Sequence, residues 1–447
     1  MRLPEKPPSK EELNKILSQS SSSSQFDELR PYLNRVNEKY LHWDELQIDS
    51  NFKGKDLRQI WALVNLFREF NERSIPINGL ILRYVQTPHI EKALHDLDVR
   101  VGGKVDLDGH TIAPDLHKKY LINSLMEEAI ASSQLEGATT SRIVAKEMLR
   151  ENRKPRDLSE QMILNNYLTM KLIRDTAQPN QKLTLDIIKA IHKQITANTL
   201  ENKTWEGVFR TDNEVKVYSR EDDQLIHEPP DHTEINKLLT QTCEFINNEP
   251  KSYYIHPFVK AIILHYLIGY VHPFNDGNGR TARALFYWYV ITQNYDKLEY
   301  VAVSTAIKNA PSKYMRAYLY VETDNNDVTY FVNFNLRAID IALSSFEKYV
   351  DKTVNENKKI FETIRHNPAL NFRQADIIIT LGKSGKPITT YEMQQRYNIT
   401  YQTARSDLLE LTKKQYMSKI QKGKQFYFVL NKEKCMSALA DTSKKTV

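Results

Sequence analysis

Cysteine is nearly absent from this sequence of 447 residues, which contains Cys243 and Cys435 alone. The two lie far apart, and neither has further metal-ligating residues at a suitable spacing beside it. This pattern excludes a disulfide scaffold and a cysteine-based zinc site, and it is typical of a reducing compartment, so we expect a cytoplasmic protein. Glycine is also scarce, with 13 residues, which indicates few tight turns and a mainly α fold.

Long apolar runs are missing as well. The longest, Phe258 to Val271, is too short to span a bilayer and contains Lys260 and His265. The first ten residues are polar and rich in proline, without the apolar centre of a signal peptide. We therefore expect neither a secretion signal nor a membrane partner.

Positive charge is concentrated near the end of the chain. The sequence has 62 Lys and Arg against 56 Asp and Glu, a net charge of +6. Residues 358–447 contain 17 of the basic and 7 of the acidic residues, a net of +10, which leaves a net of −4 for the remainder. This asymmetry sets the last fifth of the chain apart from the rest.

The chain length predicts two or three domains. The apolar pattern suggests four parts: a flexible leader (1–31), an N-terminal helical region (32–119), a long third part (120–345) and a basic fourth part (358–447). The serine run Ser20–Ser24 cannot build a core, so regular structure is expected to begin near Tyr32. In the N-terminal region, Leu57–Phe70 has the apolar spacing of a helix.

Helical periodicity dominates the third part. It predicts five helices: Tyr120–Gly137, Leu158–Ala177, Thr184–Ile195, Thr233–Asn247 and Pro257–Tyr270. The segment Val208–Ile226, called the flap below, breaks this pattern. It alternates at Val215 and Val217 and contains the turn-rich residues 219–224, which predicts a β-hairpin.

The basic fourth part has the pattern of a winged helix-turn-helix. Thr389–Tyr397 and Tyr401–Lys414 are predicted helices, separated by a turn at 398–400. Tyr416–Gln421 and Gln425–Leu430 are predicted strands. Such a domain can bind DNA through its second helix, or it can make protein contacts and form a homodimer, and both alternatives stay open.

A chemically dense segment runs from His272 to Arg283, with the sequence HPFNDGNGRTAR. Gly277 and Gly279 allow a sharp turn and a close approach of a ligand to the backbone. A helix that begins near Gly279 would favour an anion at its N-terminus. Arg280 and Arg283 lie one turn apart on one helix face, which suits the adjacent phosphates of a polyphosphate.

Two more side chains of this segment could act on such a ligand. Asp276 offers a hard oxygen ligand for Mg²⁺ beside the phosphates. His272 offers a base whose ordinary pKa, near ~6.5, suits removal of a proton from a hydroxyl. Taken singly, a Gly-Asn-Gly loop is often only a turn and a histidine before proline is often structural. Their joint spacing favours phosphoryl or nucleotidyl transfer.

The segment resembles, at every defined position, the signature HPFx(D/E)GNGRxxR of the Fic (filamentation induced by cAMP) family. The resemblance implies a Fic domain over residues 120–345, with a helical core and the flap as a β-hairpin over the cleft. It implies a protein adenylyltransferase, which uses ATP and Mg²⁺ to move AMP onto a Tyr, Thr or Ser hydroxyl of a target protein or of itself.

The same resemblance implies roles for individual residues. His272 would be the catalytic base and Asp276 the metal ligand. The anion hole for the α- and β-phosphates would be Gly277, Asn278 and Gly279. Arg280 would hold the β-phosphate and Arg283 the γ-phosphate. Tyr314 falls where the family often has two aromatic residues near the adenine, although Met315 departs from that pattern.

The end of the predicted helix Tyr120–Gly137 resembles the inhibitory helix of some Fic proteins, (S/T)xxxE(G/N), from Ser132 to Gly137. The resemblance implies a regulatory role for Ser132 and Glu136. Glu136 would pair with Arg283, so that ATP binds in a non-productive pose. From the residues alone, a glutamate near a helix C-terminus is mildly unfavourable against the helix dipole, and a solvated surface glutamate is the other explanation.

Three alternatives to an autoinhibited adenylyltransferase remain. The first is a DNA-binding regulator whose Fic core senses a nucleotide, and the intact His272, Asp276 and Arg283 argue against it. The second is an enzyme that removes AMP, with Glu136 positioning water. The third is an enzyme with another nucleotide or a phosphocholine donor, although two phosphate-binding arginines favour a triphosphate.

Overall fold

The structure is a computed structural model that describes residues 2–19, 23–102, 114–219, 223–364, 370–384, 386–422 and 425–431. These residues contain the following α-helices: α1 (Lys10–Gln19), α2 (Ser23–Lys39), α3 (Trp43–Ile48), α4 (Leu57–Asn71), α5 (Pro88–Val101), α6 (Pro114–Leu135), α7 (Arg142–Glu151), α8 (Leu158–Thr176), α9 (Leu185–Thr196), α10 (Ile235–Asn247), α11 (Pro257–Val271), α12 (Asn278–Thr292), α13 (Val303–Lys308), α14 (Pro311–Thr323), α15 (Thr329–Ile364), α16 (Phe372–Ser384), α17 (Thr390–Tyr397) and α18 (Tyr401–Lys413).

Short strands accompany the helices: β1 (Glu72–Ile77), β2 (Leu80–Val85), β3 (Val217–Tyr218), β4 (Leu225–His227), β5 (Ile388–Thr389), β6 (Met417–Lys422) and β7 (Gln425–Leu430). They form three small antiparallel sheets, ordered β1-β2, β3-β4 and β5-β7-β6. The fold is therefore mainly α, which confirms the predicted class. Within the described ranges, no helix is both long enough and apolar enough to cross a lipid bilayer.

The chain divides into two compact units. The first consists of Met1–Val105, Glu128–Thr139 and Gln161–Ala342. The second consists of Asp106–Glu127, Thr140–Glu160 and Leu343–Val447. The last eight residues of α6 therefore belong to the first unit, together with the segment from His272 to Arg283.

Helices α11 and α12 form the centre of the first unit. Twelve of the 15 residues of α11 and 13 of the 15 residues of α12 are buried. A helix that is buried on all sides belongs to the interior of a domain, so both are fixed by packing on every face. The loop 272–277, which joins them, is thereby held at both ends.

The structure differs from the predicted leader. Helix α1 and most of α2 lie before residue 32, and Leu13 and Leu29 are buried in a cluster that contains Trp61 of α4. The predicted beginning of regular structure near Tyr32 is therefore wrong. The apolar residues of α1 pack against α4, which lies about 45 residues further along the chain. The local apolar pattern beside the serine run does not indicate a contact between such distant segments. Ser20–Ser22 lie outside the described residues.

A β-hairpin also interrupts the region predicted to be helical. Strands β1 and β2 are joined by Asn78 and Gly79, whose φ angles of 43° and 82° are both positive. A two-residue turn of this kind favours Asn-Gly, because both residues tolerate the left-handed region. The Asn-Gly pair between apolar runs was the signal that could have predicted this hairpin.

The other predicted elements of the third part are close to those observed. Helices α8 to α11 begin and end within two residues of their predicted bounds, whereas α6 begins six residues earlier than predicted. The flap contains the short strands β3 and β4, paired at Val217 with His227 and at Tyr218 with Leu225. The flap hairpin is thus present, and its residues 220–222 lie outside the described residues.

The second unit contains the predicted order of helix, turn, helix and two strands. Helix α17 ends at Tyr397, Asn398 takes the left-handed conformation, and Thr400 caps α18 by accepting the Thr403 N–H. Helices α17 and α18 and strands β6 and β7 match their predicted bounds within one residue. The interpretation of these elements as a winged helix-turn-helix stays a prediction.

Candidate active site

His272 lies where α11 ends. Its φ is 47°, and its N–H donates to the Ile268 carbonyl. The side-chain Nδ1 lies 3.1 Å from the carbonyl oxygen of Gly269. Because a carbonyl only accepts, Nδ1 carries the proton and Nε2 keeps its lone pair. Burial lowers the pKa of His272 to about 4, so near neutral pH the ring is uncharged and Nε2 can accept a proton.

The loop 272–277 is bridged by the side chain of Asn278, the residue that follows it. The side chain of Asn278 accepts the Phe274 N–H at 2.9 Å and donates to the Phe274 carbonyl at 2.8 Å. Both residues are buried. The Asn278 side chain therefore fixes the conformation of the loop. Because its amide is used in this way, the backbone N–H of Asn278 is the group that could contribute to the predicted anion hole.

Both glycines of the loop are required by their surroundings. Gly277 precedes the first turn of α12 with a φ of 82°, and a Cβ there would lie 2.6 Å from Thr196. A Cβ on Gly279 would overlap the carboxylate of Glu136. Since Gly277 has no side chain to cap α12, the first N–H groups of that helix need another acceptor, and an anion would supply it.

Arg283 is held by the end of α6. Its Nε donates to Ser132 Oγ at 2.9 Å, and its Nη2 donates to the Ser132 carbonyl at 2.9 Å and to Glu136 Oε1 at 2.8 Å. Arg283 and Ser132 are buried, whereas the side chain of Glu136 is 27% exposed. The contact between Glu136 and Arg283 that the resemblance implies is present, and it places a carboxylate against Gly279, at the N-terminus of α12.

Arg280 is completely buried beneath the loop. Its Nη1 donates to the Ile195 carbonyl and its Nη2 to Asp276 Oδ2, each at 3.3 Å. Its Nε has no hydrogen-bond partner among the described residues. A buried guanidinium with such long contacts is short of acceptors, and a phosphate oxygen would satisfy it.

Asp276 is the candidate metal ligand, and its side chain is 65% exposed. Within the described part of the chain, no cluster of three or more His, Cys, Asp or Glu could hold a metal by itself. Mg²⁺ is commonly bound by one or two carboxylates together with the phosphates of a substrate. An exposed carboxylate beside the N-terminus of α12 fits that kind of site.

Tyr314, predicted near the adenine, lies on α14. Its hydroxyl is 2.8 Å from His265 Nε2 and 3.4 Å from the hydroxyl of Tyr318. Burial raises the pKa of Tyr314, and the nearby charge of Arg283 opposes that rise. The hydroxyl thus belongs to a network beside Arg283, while its predicted contact with adenine stays a prediction.

His192 on α9 also shapes the loop. Its Nδ1 accepts the Gly207 N–H at 2.9 Å, and its Nε2 donates to the Asp276 carbonyl at 2.8 Å. Its ring stacks on Phe274 with centroids 3.6 Å apart. Burial lowers the pKa of His192 to about 4, which keeps the ring in the neutral form that these two contacts need. No spacing pattern in the sequence marks this residue, which lies 80 positions before His272.

Arg210, which no sequence pattern marks either, joins the flap to the loop. Its Nε donates to the His272 carbonyl at 3.0 Å, and its backbone N–H donates to the Pro273 carbonyl at 2.8 Å. Its two Nη atoms donate to the carbonyls of Asp212 and Pro230 on the flap side. The residue is 3% exposed. One buried cation therefore connects the flap with the loop that contains the base.

His227 holds the second strand of the flap. Its Nδ1 lies 2.9 Å from Glu322 Oε1, and its Nε2 lies 2.7 Å from the Tyr270 carbonyl. Both partners are acceptors, so these two contacts favour the doubly protonated, cationic form of the ring. Burial acts to lower the pKa of His227, but the ion pair with Glu322 and the carbonyl contact outweigh it, and the pKa is raised.

The site thus lies in a helical domain in which one short loop joins a neutral histidine to the uncapped N-terminus of α12. Residues 182–290 match the Fic/DOC family. They contain the flap and the whole segment from His272 to Arg283, and they do not include Ser132, Glu136 or Tyr314. Residues 182–290 thus form a domain that is similar to the Fic/DOC family, and they make up 109 of the 447 residues of the chain.

Similar proteins carry the same family name. The protein adenylyltransferase Fic of Drosophila virilis is 32% identical over 123 residues, which cover 28% of this chain and 23% of the relative. That of Drosophila melanogaster is 25% identical over 231 residues, 50% of this chain and 43% of the relative. This chain thus matches less than half the length of either relative.

A solved structure shares the fold. The crystal structure of a Fic family protein from Desulfovibrio desulfuricans G20 matches with a TM-score of 0.51 at 20% sequence identity. The match covers 78% of this chain and 98% of that chain. At this identity the likeness concerns the fold.

Proposed function

We propose that this protein transfers the AMP part of ATP to a hydroxyl of a protein, and that Glu136 restrains the reaction. The observation that carries the proposal is a neutral base that one short loop separates from the uncapped N-terminus of α12. His272 Nε2 keeps its lone pair because Nδ1 donates to Gly269, and the open N-terminus of α12 lies a few residues further along the same loop. The name of the relatives supports the same activity.

The triphosphate would bind along the N-terminus of α12. The N–H groups of Gly277, Asn278 and Gly279 would hold phosphate oxygens, and Arg280 would supply a buried positive charge. Arg283 would hold the γ-phosphate once Glu136 has left it. Asp276 would hold Mg²⁺, which neutralises part of the phosphate charge when it is bound.

In the transfer, the target hydroxyl oxygen forms a bond to the α-phosphorus. His272 Nε2 takes the hydroxyl proton as this bond forms. The bond from the α-phosphorus to the bridging oxygen breaks, and pyrophosphate leaves. The target keeps AMP as a phosphodiester. Because the pKa of His272 is low, the base is unprotonated in resting protein near neutral pH.

Glu136 would restrain this reaction by competition for one cation. Its carboxylate contacts Arg283 and fills the space in front of Gly279. A γ-phosphate would therefore be repelled by the negative charge of Glu136 and would find Arg283 already bound to it. A charge-assisted bond is worth roughly 1.5–3 kcal/mol, which can change the fraction of productive ATP by about 10- to 100-fold.

Intact-protein mass spectrometry after incubation with ATP and Mg²⁺ tests the proposal. Glu136→Gly is expected to acquire AMP adducts faster than the wild-type protein, and His272→Ala in the same background is expected to acquire none. Glu151→Gly is a matched control, since Glu151 is an exposed carboxylate near the end of α7. If folded Glu136→Gly protein is modified no faster than the wild-type protein, the restraint is disproved.

A second activity, removal of AMP, is supported by the partial exposure of Glu136. A carboxylate that reaches solvent beside the anion site can orient a water molecule toward a phosphodiester. Protein modified beforehand and then incubated with Mg²⁺ without ATP should release AMP, and Glu136→Gln should release less. Equal release from both proteins would exclude this role for Glu136.

A further inference from the structure

The carboxylates among the described residues of the last part of the second unit are engaged within it. Residues 370–431 contain ten Lys and Arg against four Asp and Glu. Asp376 accepts the Tyr397 hydroxyl, and Asp407 accepts from Arg373. Glu392 caps α17, and Glu410 pairs with Lys414. Internal pairing therefore leaves positive charge in excess on this surface.

Helix α18 presents that excess on its outward face. Its inward residues Ala404, Leu408 and Leu411 are fully buried. The exposed residues of α18 are Tyr401, Gln402, Arg405, Ser406, Leu409, Glu410 and Lys413, and Glu410 is paired with Lys414. Among the described residues, no carboxylate lies within ion-pair distance of Arg405 or Lys413, and the first two turns of this face contain no acidic residue. The face is therefore suited to a polyanion.

We propose that this face of α18 binds duplex DNA in the major groove. An α-helix with its side chains is about 10–12 Å wide, and the major groove is about 12 Å wide, so the helix fits. Gln402, Arg405 and Ser406, near the start of α18, are residue types that bond to base edges. Lys413, two turns further on, would contact phosphates.

The packing of α17 and α18 supports this assignment. Asn398, with a φ of 48°, ends α17, and Thr400 caps α18 two residues later. Tyr397, on α17, is buried and its hydroxyl donates to Asp376, which fixes the turn. A helix held in this way at its N-terminus presents its first turns rigidly, as groove recognition requires.

A protein partner is less suited to this face. Protein interfaces have a core depleted of charge and rich in apolar side chains. Here the outward face exposes two large side chains with apolar surface, Tyr401 and Leu409, among polar and charged neighbours such as Arg405 and Lys413. The adjoining ribbon of β6 and β7 exposes Ile420 and Phe426 together with Lys419, whose ammonium lies 3.8 Å from the centre of the Phe426 ring. Such a lysine can contact a phosphate beside the groove.

Fluorescence anisotropy with the full chain and a labelled duplex of mixed sequence, about two helical turns long, tests the proposal. We expect binding that weakens steeply between low and physiological salt. Arg405→Glu should weaken it by about tenfold or more, and Arg405→Gln should reduce the salt slope by about one unit. Lys251→Glu, an equal charge change at an exposed site of the first unit, should leave binding nearly unchanged.

Two results would overturn the assignment. One is the absence of binding at low salt by wild-type protein that is folded by circular dichroism. The other is an equal loss of binding from Arg405→Glu and Lys251→Glu, which would indicate attraction to net charge alone. Sedimentation of the same variants tests the alternative of a protein interface. If α18 forms such an interface, the wild-type protein is a dimer that does not bind DNA, and Arg405→Glu abolishes the dimer.

Discussion

The carboxylate of Glu136 and the guanidinium of Arg283 are 2.8 Å apart, and the same carboxylate lies against Gly279 at the N-terminus of α12. One acidic group therefore touches both the cation and the backbone that an anionic ligand would use. Because Arg283 is buried, a phosphate that binds it as proposed would have to take the position of the Glu136 carboxylate.

Ser132 is expected to contribute to the same restraint. Its hydroxyl accepts from Arg283 Nε, and Ser132→Ala removes this acceptor while the ion pair with Glu136 remains. A buried donor is then left unsatisfied, which costs about 1–3 kcal/mol and weakens the restrained pose. Adduct formation from ATP, followed by mass spectrometry, should rise several-fold, but less than in Glu136→Gly.

Ser133→Ala is the control for this prediction. Ser133 is the next residue and is also buried, but its hydroxyl donates to the Met162 carbonyl. Its substitution should lower the thermal unfolding temperature without a change in adduct formation. Equal rates for Ser132→Ala and Ser133→Ala would show that the Ser132 hydroxyl has no part in the restraint.

Arg210 is expected to position the base without binding the nucleotide. Arg210→Lys keeps the charge but loses the planar fork that reaches the loop and the flap together. In the Glu136→Gly background, we expect a loss of turnover of about 10- to 100-fold, with ATP affinity measured by calorimetry nearly unchanged. Arg156→Lys, at an exposed site, should alter neither quantity. A parallel loss of ATP affinity would instead place Arg210 in the binding site.

The elements around the site were predictable because their signals are local. Helices α9 and α11 have regular apolar spacing, and the segment from His272 to Arg283 carries its chemistry within twelve residues. The roles of His192 and Arg210 were not predictable in this way. An isolated histidine or arginine has no spacing to mark it, and only the packing of α9 and the flap against the loop brings each to a backbone carbonyl.

Burial is the other property that the sequence did not reveal. Arg280 and Arg283 were predicted together as phosphate ligands on one helix face, yet Arg280 lies under the loop and contacts the Ile195 carbonyl, whereas Arg283 contacts α6. Helical periodicity gives the direction of a side chain but not what covers it. The β1–β2 hairpin, by contrast, had a local signal in Asn78 and Gly79 that helical spacing nearby obscured.

His192 is expected to make the protein sensitive to acid. Its pKa is lowered to about 4 in the folded protein, from an ordinary value near ~6.5. Below pH ~6.5 the His192 side chain therefore binds a proton in the unfolded chain but not in the folded protein. The free energy of unfolding thus decreases as the pH falls toward 4. One such proton changes the free energy of unfolding by up to about 1.4 kcal/mol per pH unit.

Urea unfolding of wild-type protein and His192→Gln at several pH values between 4.5 and 7.5 checks this expectation. The variant should be less stable at pH 7.5, because it loses the stacking on Phe274, but its stability should depend less on pH. His89→Gln, at an exposed site, should keep the wild-type dependence. Parallel pH curves for wild-type protein and His192→Gln would contradict the assignment.

His227 is expected to respond to pH in the opposite direction. Its pKa is raised, because the Glu322 ion pair and the Tyr270 carbonyl outweigh the effect of burial. The stabilisation it gives to the flap is fully present below the unfolded pKa, near ~6.5, and is lost as the pH rises through the higher folded value. Amides of β3 and β4 should therefore exchange hydrogen faster at pH 8 than at pH 6 once intrinsic rates are removed.

Histidine NMR identifies the group responsible for this change. In wild-type protein the His227 ring should titrate above pH ~6.5, and Glu322→Gln should lower its midpoint, because a neutral amide no longer stabilises the imidazolium. The same variant should raise exchange in β3 and β4 at pH 6, whereas Glu244→Gln, at an exposed site of α10, should change neither quantity. An unchanged His227 midpoint in Glu322→Gln would mean that this carboxylate does not hold the flap, and the pH dependence of exchange would then belong to another contact.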